Sequence, residues 1–382
     1  MPEPYLKRAY LPELDGLRAI AVILVVLAHA VPVPSTGLVA WGVRNTLSNG
    51  WLGVDLFFAL SGFLITSILL AAKTGPHYFR NFYARRALRI FPLYYAVIAI
   101  LALASARMPF GPARPLWPYL AYVSNFWSLF SGHEWEPLGH VWSLAIEEQF
   151  YLVYPAVAFL LEARGLRTLM ISVIAISPVI RLITNAATRP GASYFMTFTR
   201  LDSLAMGALV ALMLQEPPQI REAFLRRARR VLPLLVALSL VLWVTKQLDF
   251  RKPFFNAVGL TVIDAALACL ICVVIGGGMD PLDRFLRRPF LIAIGKVSYG
   301  IYLLHYPVSQ LVASYARQRL ADDWWRTAVI AVSSVGLTAG LSALSWVALE
   351  RPFLRLKRFF YEPGLAVPME YPVSSIPTTR LP

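Results

Sequence analysis

The sequence LDGLRAIAVILVVLAHA, residues 14–30, is the first long apolar run of the chain and contains only three ionisable side chains. Asp15 and Arg18 lie near its start, where a charged side chain can extend to the membrane interface. His29 follows Arg18 by about 16 Å of helical rise, which is about half of the hydrocarbon core of a bilayer. Because an ionisable group inside a membrane is costly and usually functional, the segment predicts a transmembrane helix with a functional histidine. The alternative is a histidine hydrogen-bonded between helices.

The composition excludes an ordinary soluble domain. The chain has 382 residues, of which 58% are hydrophobic and 15% charged, and its mean hydropathy is +0.59. Its formal net charge of +15 would suggest nucleic-acid binding in a soluble protein, but the arginines cluster between apolar runs, as they do in cytoplasmic loops. We therefore predict no nucleic-acid partner. Cys269 and Cys272 lie within an apolar run and are interpreted as buried helix positions, not as a redox pair.

The apolar runs predict an all-α, polytopic integral membrane protein with about ten transmembrane helices. A further stretch, 115–130, contains Pro115, Pro118 and many aromatic residues, and we predict an interfacial or re-entrant element there. All basic segments then lie on the side of Lys7 and Arg8, so both termini are predicted to be cytoplasmic and the first helix to be uncleaved. The predicted spans are 14–33, 51–72, 89–106, 142–162, 167–185, 200–216, 231–246, 256–277, 290–314 and 326–350.

Six of these spans carry ionisable groups at about the depth of His29. Charged groups in a membrane usually pair with one another or line a cavity. The pattern therefore predicts a polar, water-accessible pocket in the outer half of the membrane. The alternative is a set of buried pairs, such as Arg200 with Asp202 or Asp264. The groups are His29, Asp55, Glu147, Glu148, Arg200, Asp202, Asp264 and His305.

A second pattern is predicted at the inner face, where the segment YFRNFYARRALRIFP, 78–92, is interpreted as a basic loop. Arg86 and Arg89 are three residues apart, which places them on one helical face. Guanidinium groups suit phosphates, and the interleaved aromatic rings suit a nucleobase. The pattern indicates a site for a phosphorylated cofactor or a lipid headgroup, with Arg18 and Lys296 at the same face. The simpler alternative is a basic loop that only sets topology.

Two classes of function fit an anion site at one face and an acid–base site near the other. One is a transporter with a pathway through the membrane. The other is an enzyme that takes a donor from the cytoplasm and uses it in the outer half of the membrane. A transporter would favour internal repeats, and the two halves of the sequence contain no convincing repeat.

From Leu11 to Phe353, nearly the whole chain, a series of motifs closely resembles the acyltransferase-3 family of bacterial membrane acyltransferases. The resemblance implies a ten-helix enzyme of the bacterial inner membrane that O-acylates a carbohydrate, most often with acetyl groups, using cytoplasmic acyl-CoA such as acetyl-CoA. The motifs, in order, are LDGLRAIAVILVVLAHA, GWLGVDLFFALSGFLIT, NFYARRALRIFPLYY, VWSLAIEEQFYLVYP, FTRLDSLAMGALVALM, GKVSYGIYLLHYPV and LERPF.

The resemblance assigns three patterns to site residues. Its Arg-x10-His pattern corresponds to Arg18 and His29, its Arg-x-x-Arg pattern to Arg86 and Arg89, and its WSLxxEE pattern to Glu147 and Glu148. Together with the predicted geometry, this places the nucleotide of acyl-CoA on the basic group. That group comprises Arg18, Arg85, Arg86, Arg89 and Lys296.

The same argument makes His29 either a general base for the acceptor hydroxyl or a transient acyl carrier. A carboxylate would orient the imidazole, Glu148 being favoured over Asp55 and only one of Glu147 and Glu148 reaching the pocket. Short metal-ligand spacings are absent, so no metal is predicted. The remaining predicted substrate contacts are Arg200, Asp202, Tyr302 and His305.

The predicted domain organisation is a transmembrane domain over 1–355 and a cytoplasmic, Pro-rich, disordered tail over 356–382. Some members of the family carry an additional SGNH domain, and we expect none in this chain. The predicted partners are a carbohydrate acceptor, such as a sugar of lipopolysaccharide, peptidoglycan or another polysaccharide, and the membrane lipid. The acyl group, the acceptor sugar and the oligomeric state stay open.

Overall fold

The computed structural model describes residues 10–33, 36–105, 115–132, 134–188, 191–277 and 279–360. Within these ranges the regular elements are all helical, which confirms the predicted all-α membrane fold. The first five residues of the predicted disordered tail, Leu356–Phe360, form a 3₁₀ turn. The rest of the predicted tail and His133 lie outside the described residues.

The helices follow one another with short connections. Those of the first half are α1 (Pro12–Ala30), α2 (Leu38–Leu47), α3 (Leu52–Ala72), α4 (Tyr78–Ala104), α5 (Trp117–Leu120), α6 (Ser124–Ser131), α7 (Trp142–Leu160) and α8 (Ala163–Ala187). Those of the second half are α9 (Leu201–Leu214), α10 (Pro218–Val244), α11 (Leu260–Gly276), α12 (Asp280–Leu286), α13 (Pro289–Lys296), α14 (Ser298–Arg317), α15 (Trp324–Ser345) and α16 (Arg351–Arg355).

Each predicted apolar run coincides with a helix. Three features of the structure nevertheless differ from the prediction. The run 290–314 is broken near Val297, between α13 and α14. Residues 38–47, for which no helix was predicted, form α2. The arginine-rich segment predicted as a loop forms the first turns of α4, because 78–91 contains neither glycine nor proline to stop a helix.

Within the described ranges, five stretches of helix are long and apolar enough to cross a membrane. This finding establishes a membrane-embedded protein, whereas the number of ten spans and the side of the termini stay predictions. The five stretches are Val39–Ala72, Tyr78–Ala104, Ala163–Ala187, Phe255–Gly276 and Trp324–Phe360.

The segment predicted as interfacial or re-entrant forms two helices, α5 and α6, of four and eight residues. Neither is long enough to span the hydrocarbon core of a bilayer. The chain turns between them at Tyr122, whose φ is 53°. The hydroxyl of Tyr94 in α4 donates to the carbonyl of Tyr119 at 2.8 Å, and the amide of Gln149 in α7 donates to that of Tyr122 at 2.7 Å. These bonds hold the segment against α4 and α7, and its position as an interfacial or re-entrant element stays a prediction.

The centre of the bundle is α3, which is buried along most of its length. It packs most closely against α9, where two glycines face each other's helix backbone. A Cβ atom at Gly62 would lie 1.9 Å from the carbonyl oxygen of Leu204, and one at Gly207 would lie 1.9 Å from that of Ala59. Small residues of this kind permit backbones to approach closely inside a membrane, so the two glycines set the spacing of α3 and α9.

Near the start of α1, one polar contact reaches the end of α12 and another lies within α1 itself. The guanidinium of Arg287 donates to Glu13 with Nε at 2.7 Å, and Arg18 pairs with Asp15 at 3.0 Å. We call this end of the bundle, where α1 and α4 begin, the basic end. The opposite end, where α1 finishes beyond His29, is the histidine end.

Candidate active site

A cavity of about 100 Å³ lies in the bundle between α1, α3, α4, α7 and α14. One wall is polar and the opposite wall, from α3, is mostly apolar. Its polar lining consists of Arg18, Ser61, Arg86, Arg89, Ser143, Glu147, Tyr151, Ser298, Tyr299 and Tyr302.

Three arginines give this cavity its charge. Arg86 and Arg89 reach it from one face of α4, and Arg18 reaches it from α1. Arg86 and Arg89 lie about 12 and 16 Å from the start of α4 by helical rise, so they lie within the bundle wall and not in a surface loop. Glu147 is the acidic member of the lining, and the cavity therefore favours an anion.

Glu147 is placed by its neighbours in the cavity. Its carboxylate bonds to the Ser61 hydroxyl and interacts electrostatically with Arg86, Arg18 and Arg89. The Ser61 hydroxyl also bonds to the Tyr151 hydroxyl. The carboxylate thus lies among the guanidinium groups and is bonded to Ser61, whose hydroxyl is in turn bonded to Tyr151.

Glu148 faces a different space. It lines a second chamber of about 350 Å³ between α4 and α7, together with Tyr122 and Gln149, and Arg86 and Tyr151 form part of both linings. One oxygen of Glu148, Oε1, is buried without a hydrogen-bond partner. Successive residues of a helix differ in direction by about 100°, which separates the two carboxylates. The prediction favoured Glu148, but Glu147 is the carboxylate that shares the arginine cavity.

Two of the predicted phosphate-binding cations do not line this cavity. Arg85 is buried, with 4% of its surface exposed, and its Nε donates to the carbonyl of Asn81 at 3.2 Å. Arg85 directly precedes Arg86 on the helix, so the two side chains point about 100° apart. Lys296 ends α13, and its near neighbours Ser298 and Tyr299 reach the cavity instead.

Four rings form a cluster towards the histidine end. The ring centroids of His29 and His305 are 5.2 Å apart, and His29 lies 5.0 Å from Tyr306. His140 lies 5.0 Å from His305 and stacks on Tyr306 at 5.1 Å. His29 is exposed, whereas His305 and His140 are 0% and 4% exposed. The accessible imidazole of the cluster is therefore that of His29.

Tyr302 connects the histidine cluster with the arginine cavity. Its side chain lines the cavity, and its ring lies 5.5 Å from both His140 and His305. Its hydroxyl is 2.5 Å from that of Ser143 and donates to the carbonyl of His140 at 3.2 Å. Tyr302 thus lies between the two groups, whereas His305 belongs to the histidine cluster, and their role as substrate contacts stays a prediction.

Asp55, Arg200 and Asp202 have a different role from the predicted one. All three side chains are 0% exposed and lie in a buried ion network between α3, α8, α9 and α11. Asp55 pairs with Arg200, and Asp202 pairs with Arg181 of α8 at 2.8 Å. Charges removed from water require such partners, so these groups hold helices together. This corrects their assignment as an orienting carboxylate and as substrate contacts.

Asp264 completes this network, with one oxygen 3.8 Å from Arg200 and the other accepting from Ser203 at 2.9 Å. The predicted alternative of buried pairs is therefore right for this group, although Arg200 pairs with Asp55 and Asp264 and not with Asp202. Arg181 was not predicted as a partner. Its only sequence signal is a lone arginine within an apolar run.

The site also contains residues that the sequence analysis did not select. His140 directly precedes the motif VWSLAIEEQFYLVYP, and that adjacency is the signal that could have identified it. Ser143 is the serine of the WSLxxEE pattern, which is the signal that could have identified it. Ser61 and Tyr151 have no distinctive signal of their own, because hydroxyl residues are common in membrane helices. Among the described residues, no group of three His, Cys, Asp or Glu side chains is arranged to hold a metal ion.

Comparison with known proteins adds an independent finding. A family model described as an acyltransferase domain matches residues 11–343. The O-acetyltransferase OatA of Staphylococcus aureus is 31% identical over 373 residues, covering 92% of this chain and 58% of that protein. The peptidoglycan O-acetyltransferase OatA of Listeria monocytogenes is 30% identical over 356 residues, covering 88% of this chain and 55% of that protein.

The chain thus spans little more than half the length of these curated relatives. No solved structure matches the chain.

Proposed function

We propose a reaction from the premise that the chain belongs to the acyltransferase-3 family. The protein transfers an acyl group from acyl-CoA to a hydroxyl group of a cell-surface carbohydrate, and the acyl group that we propose is acetyl. The observation that carries the proposal is the joining of two unlike sites in one bundle. An arginine-lined cavity and an accessible histidine are connected through Tyr302. The first suits an anionic donor and the second suits proton transfer.

Arg86 and Arg89 are proposed to bind the phosphates of acyl-CoA, with Arg18 on the opposite side. Guanidinium groups bind phosphate oxygens in a forked geometry that lysine cannot reproduce. The cavity of about 100 Å³ is smaller than the roughly 300–1,000 Å³ of a pocket for a drug-sized ligand. The narrow acyl-pantetheine arm therefore enters the cavity, and the nucleotide stays at its mouth.

His29 is proposed to act as the general base. The acceptor hydroxyl gives its proton to His29 as its oxygen bonds to the carbonyl carbon of the thioester. The bond between that carbon and sulfur then breaks. The thiolate of coenzyme A leaves and takes the proton from His29, so that the enzyme returns to its starting state.

Peptidoglycan is the acceptor that we propose to test first. The printed name of the Listeria relative specifies peptidoglycan, whereas the sequence analysis also included lipopolysaccharide. We propose that the protein lies in the bacterial inner membrane, with the donor at the basic end and the acceptor at the histidine end. The basic end then faces the cytoplasm, as the positive-inside rule requires.

The test is expression of the chain in a bacterium whose own O-acetylation genes are deleted. We expect mild alkali to release acetate from its purified peptidoglycan, and expression of His29→Gln to give the background value. Gln keeps one hydrogen bond but cannot act as a base. Binding of radiolabelled acetyl-CoA to the purified variant should persist, because His29 lies about 16 Å from Arg18 along α1.

Two results would contradict the proposal. One is the absence of ester-linked acetate from every surface glycan despite normal membrane expression. The other is near-wild-type transfer by His29→Gln, which would assign His29 a packing role.

A further inference from the structure

His29 has two hydrogen-bonding partners, and neither is a carboxylate. Its Nδ1 lies 2.9 Å from the carbonyl oxygen of Val25 and 3.3 Å from Nε2 of His305. The other nitrogen of the buried His305 ring, Nδ1, lies 2.5 Å from the carbonyl oxygen of Tyr302. A backbone carbonyl anchors each imidazole, and the second imidazole contacts the first.

These contacts determine where the protons lie. A carbonyl oxygen only accepts hydrogen bonds, so Nδ1 of both rings must carry a proton. For a neutral His305, Nε2 is then unprotonated and accepts the shared Nδ1–H of His29. Nε2 of His29 is left with its lone pair free, which is the state that a general base requires.

We propose that His305 is the positioning residue that, together with the carbonyl of Val25, holds the ring of His29 in this orientation, in the role that a carboxylate has in a serine-protease triad. The inference rests on the proposed function. Of the two carboxylates predicted for this role, the favoured Glu148 lines the chamber between α4 and α7, and Asp55 is paired with Arg200. A neutral third member has a precedent in Cys-His-Asn triads, where an amide oxygen orients the histidine.

His305 suits this role because its own position is fixed. It is 0% exposed, its Nδ1 is bonded to Tyr302 within α14, and its ring packs against His140 and Tyr306. Two other titratable groups near the cluster are Tyr302 in α14 and His140 in the 3₁₀ segment Glu136–Val141. Glu134 and Glu136 also lie near it and interact with Tyr306. His305 is the group among them that hydrogen-bonds to His29.

Three substitutions of His305 separate positioning from packing. His305→Phe keeps a ring but removes the acceptor, His305→Gln restores an acceptor near the Nε2 position, and His305→Glu supplies a carboxylate. Ser309→Ala is the matched control, because Ser309 lies one turn further along α14, is 3% exposed and has an unpartnered hydroxyl. All variants would be purified into lipid vesicles and assayed with acetyl-CoA and soluble peptidoglycan fragments.

We expect His305→Phe to lower kcat by about 10²–10⁴, the range known for loss of the orienting member of a triad, with KM for acetyl-CoA changed less than about 2-fold. His305→Gln should recover most of kcat with the wild-type pH profile. His305→Glu should move the acid limb of the profile to higher pH, because a carboxylate stabilises the imidazolium. Ser309→Ala should match wild type.

A second measurement does not depend on activity. Nitrogen-15 solid-state NMR of the histidine-labelled protein in vesicles, with His29→Gln used to assign the signals, reports which nitrogen carries the proton. We expect His29 to show a protonated Nδ1 and a bare Nε2, and His305→Phe to shift the Nδ1 signal of His29, because only the bond to the Val25 carbonyl remains.

The outcomes separate the inference from the proposed function. If wild type transfers no acetyl group but shows the expected tautomer, the proposed function fails and the positioning role of His305 stands. If wild type is active and His305→Phe retains its kcat and pH profile, or if His29 is protonated on Nε2, the inference is overturned.

Discussion

Glu147 and Glu148 show that a shift of one residue along a helix decides which cavity a side chain lines. They are adjacent in the sequence, yet one shares a cavity with three arginines and the other lines a separate chamber with Tyr122. Arg85 and Arg86 differ in the same way, since Arg86 reaches the cavity and Arg85 is bonded to the carbonyl of Asn81. Residue type alone therefore does not identify a ligand-binding side chain.

At this scale we predict that Arg86 and Arg89 bind the donor. Arg86→Ala or Arg89→Ala should weaken acyl-CoA binding by about 1.5–3 kcal/mol for each charged hydrogen bond that is lost. Lysine at either position should restore little affinity, because it cannot reproduce a forked contact. Isothermal titration of the purified protein with acetyl-CoA measures the effect.

Arg85→Lys is the matched control for this prediction. This substitution keeps the positive charge at position 85, whose side chain does not line the cavity. The variant should therefore bind acetyl-CoA as wild type does. Unchanged affinity in an Arg86→Ala, Arg89→Ala double variant would mean that these arginines only set the membrane topology.

At the scale of single elements, α4 changes the interpretation of the basic segment. As a loop, the arginines would face the cytoplasm and compete with water for a ligand. In the structure the segment forms the first turns of a helix that runs from Tyr78 to Ala104, and Arg86 and Arg89 project from it into a partly apolar cavity. Charge-assisted hydrogen bonds are stronger there than in water.

The contact between α3 and α9 gives a prediction about stability. Gly207→Ala should lower the melting temperature of the purified protein, because the new Cβ would lie 1.9 Å from the carbonyl oxygen of Ala59. Overpacking of this kind costs about 1–3 kcal/mol. Differential scanning fluorimetry in detergent provides the measurement.

Gly336→Ala in α15 is the control, since no atom lies within 4 Å of a Cβ placed there. It should leave the melting temperature unchanged or raise it, because alanine is the better helix former by about 1 kcal/mol. Equal melting temperatures for Gly207→Ala and wild type would show that α3 and α9 are packed less closely than described.

At the scale of the whole molecule, the two groups of candidate site residues lie towards opposite ends of the bundle. Arg18, Arg86 and Arg89 lie towards the basic end, and His29 and His140 lie towards the histidine end, with Tyr302 between the two groups. A donor and an acceptor from opposite sides of a membrane could meet only in such an arrangement. The orientation of the bundle is therefore part of the proposed function.

Cysteine labelling tests this orientation. With Cys269 and Cys272 replaced by alanine, Glu136→Cys should react with an impermeant maleimide in intact cells. Arg226→Cys should react only after the membrane is permeabilised, because α10 begins on the cytoplasmic side in the predicted topology. Both positions are exposed.

Labelling of residue 226 from outside would contradict the predicted topology. So would protection of residue 136 in intact cells. The variant without cysteines provides the background for both measurements.

The sequence by itself determined the features that depend on local order along the chain. Apolar runs predicted the helices, the interval between Arg18 and His29 predicted their separation, and the motifs indicated the family. Helix formation and rise depend on neighbouring residues, so these features can be derived without a fold. That 115–130 forms no long helix was also predictable, because its prolines and the distribution of charge argued against a further span.

Only the tertiary structure decided which groups meet. Asp55 pairs with Arg200, Glu147 and not Glu148 joins the arginines, and His305 is the partner of His29. Each contact joins residues far apart in the sequence, and each depends on how a helix is rotated about its axis against its neighbours. Periodicity leaves that rotation undetermined, since a span that is apolar almost all around has no unique buried face. Close packing at positions such as Gly62 and Gly207 fixes the distance between helices, and the alignment of ionisable side chains across the bundle follows from it.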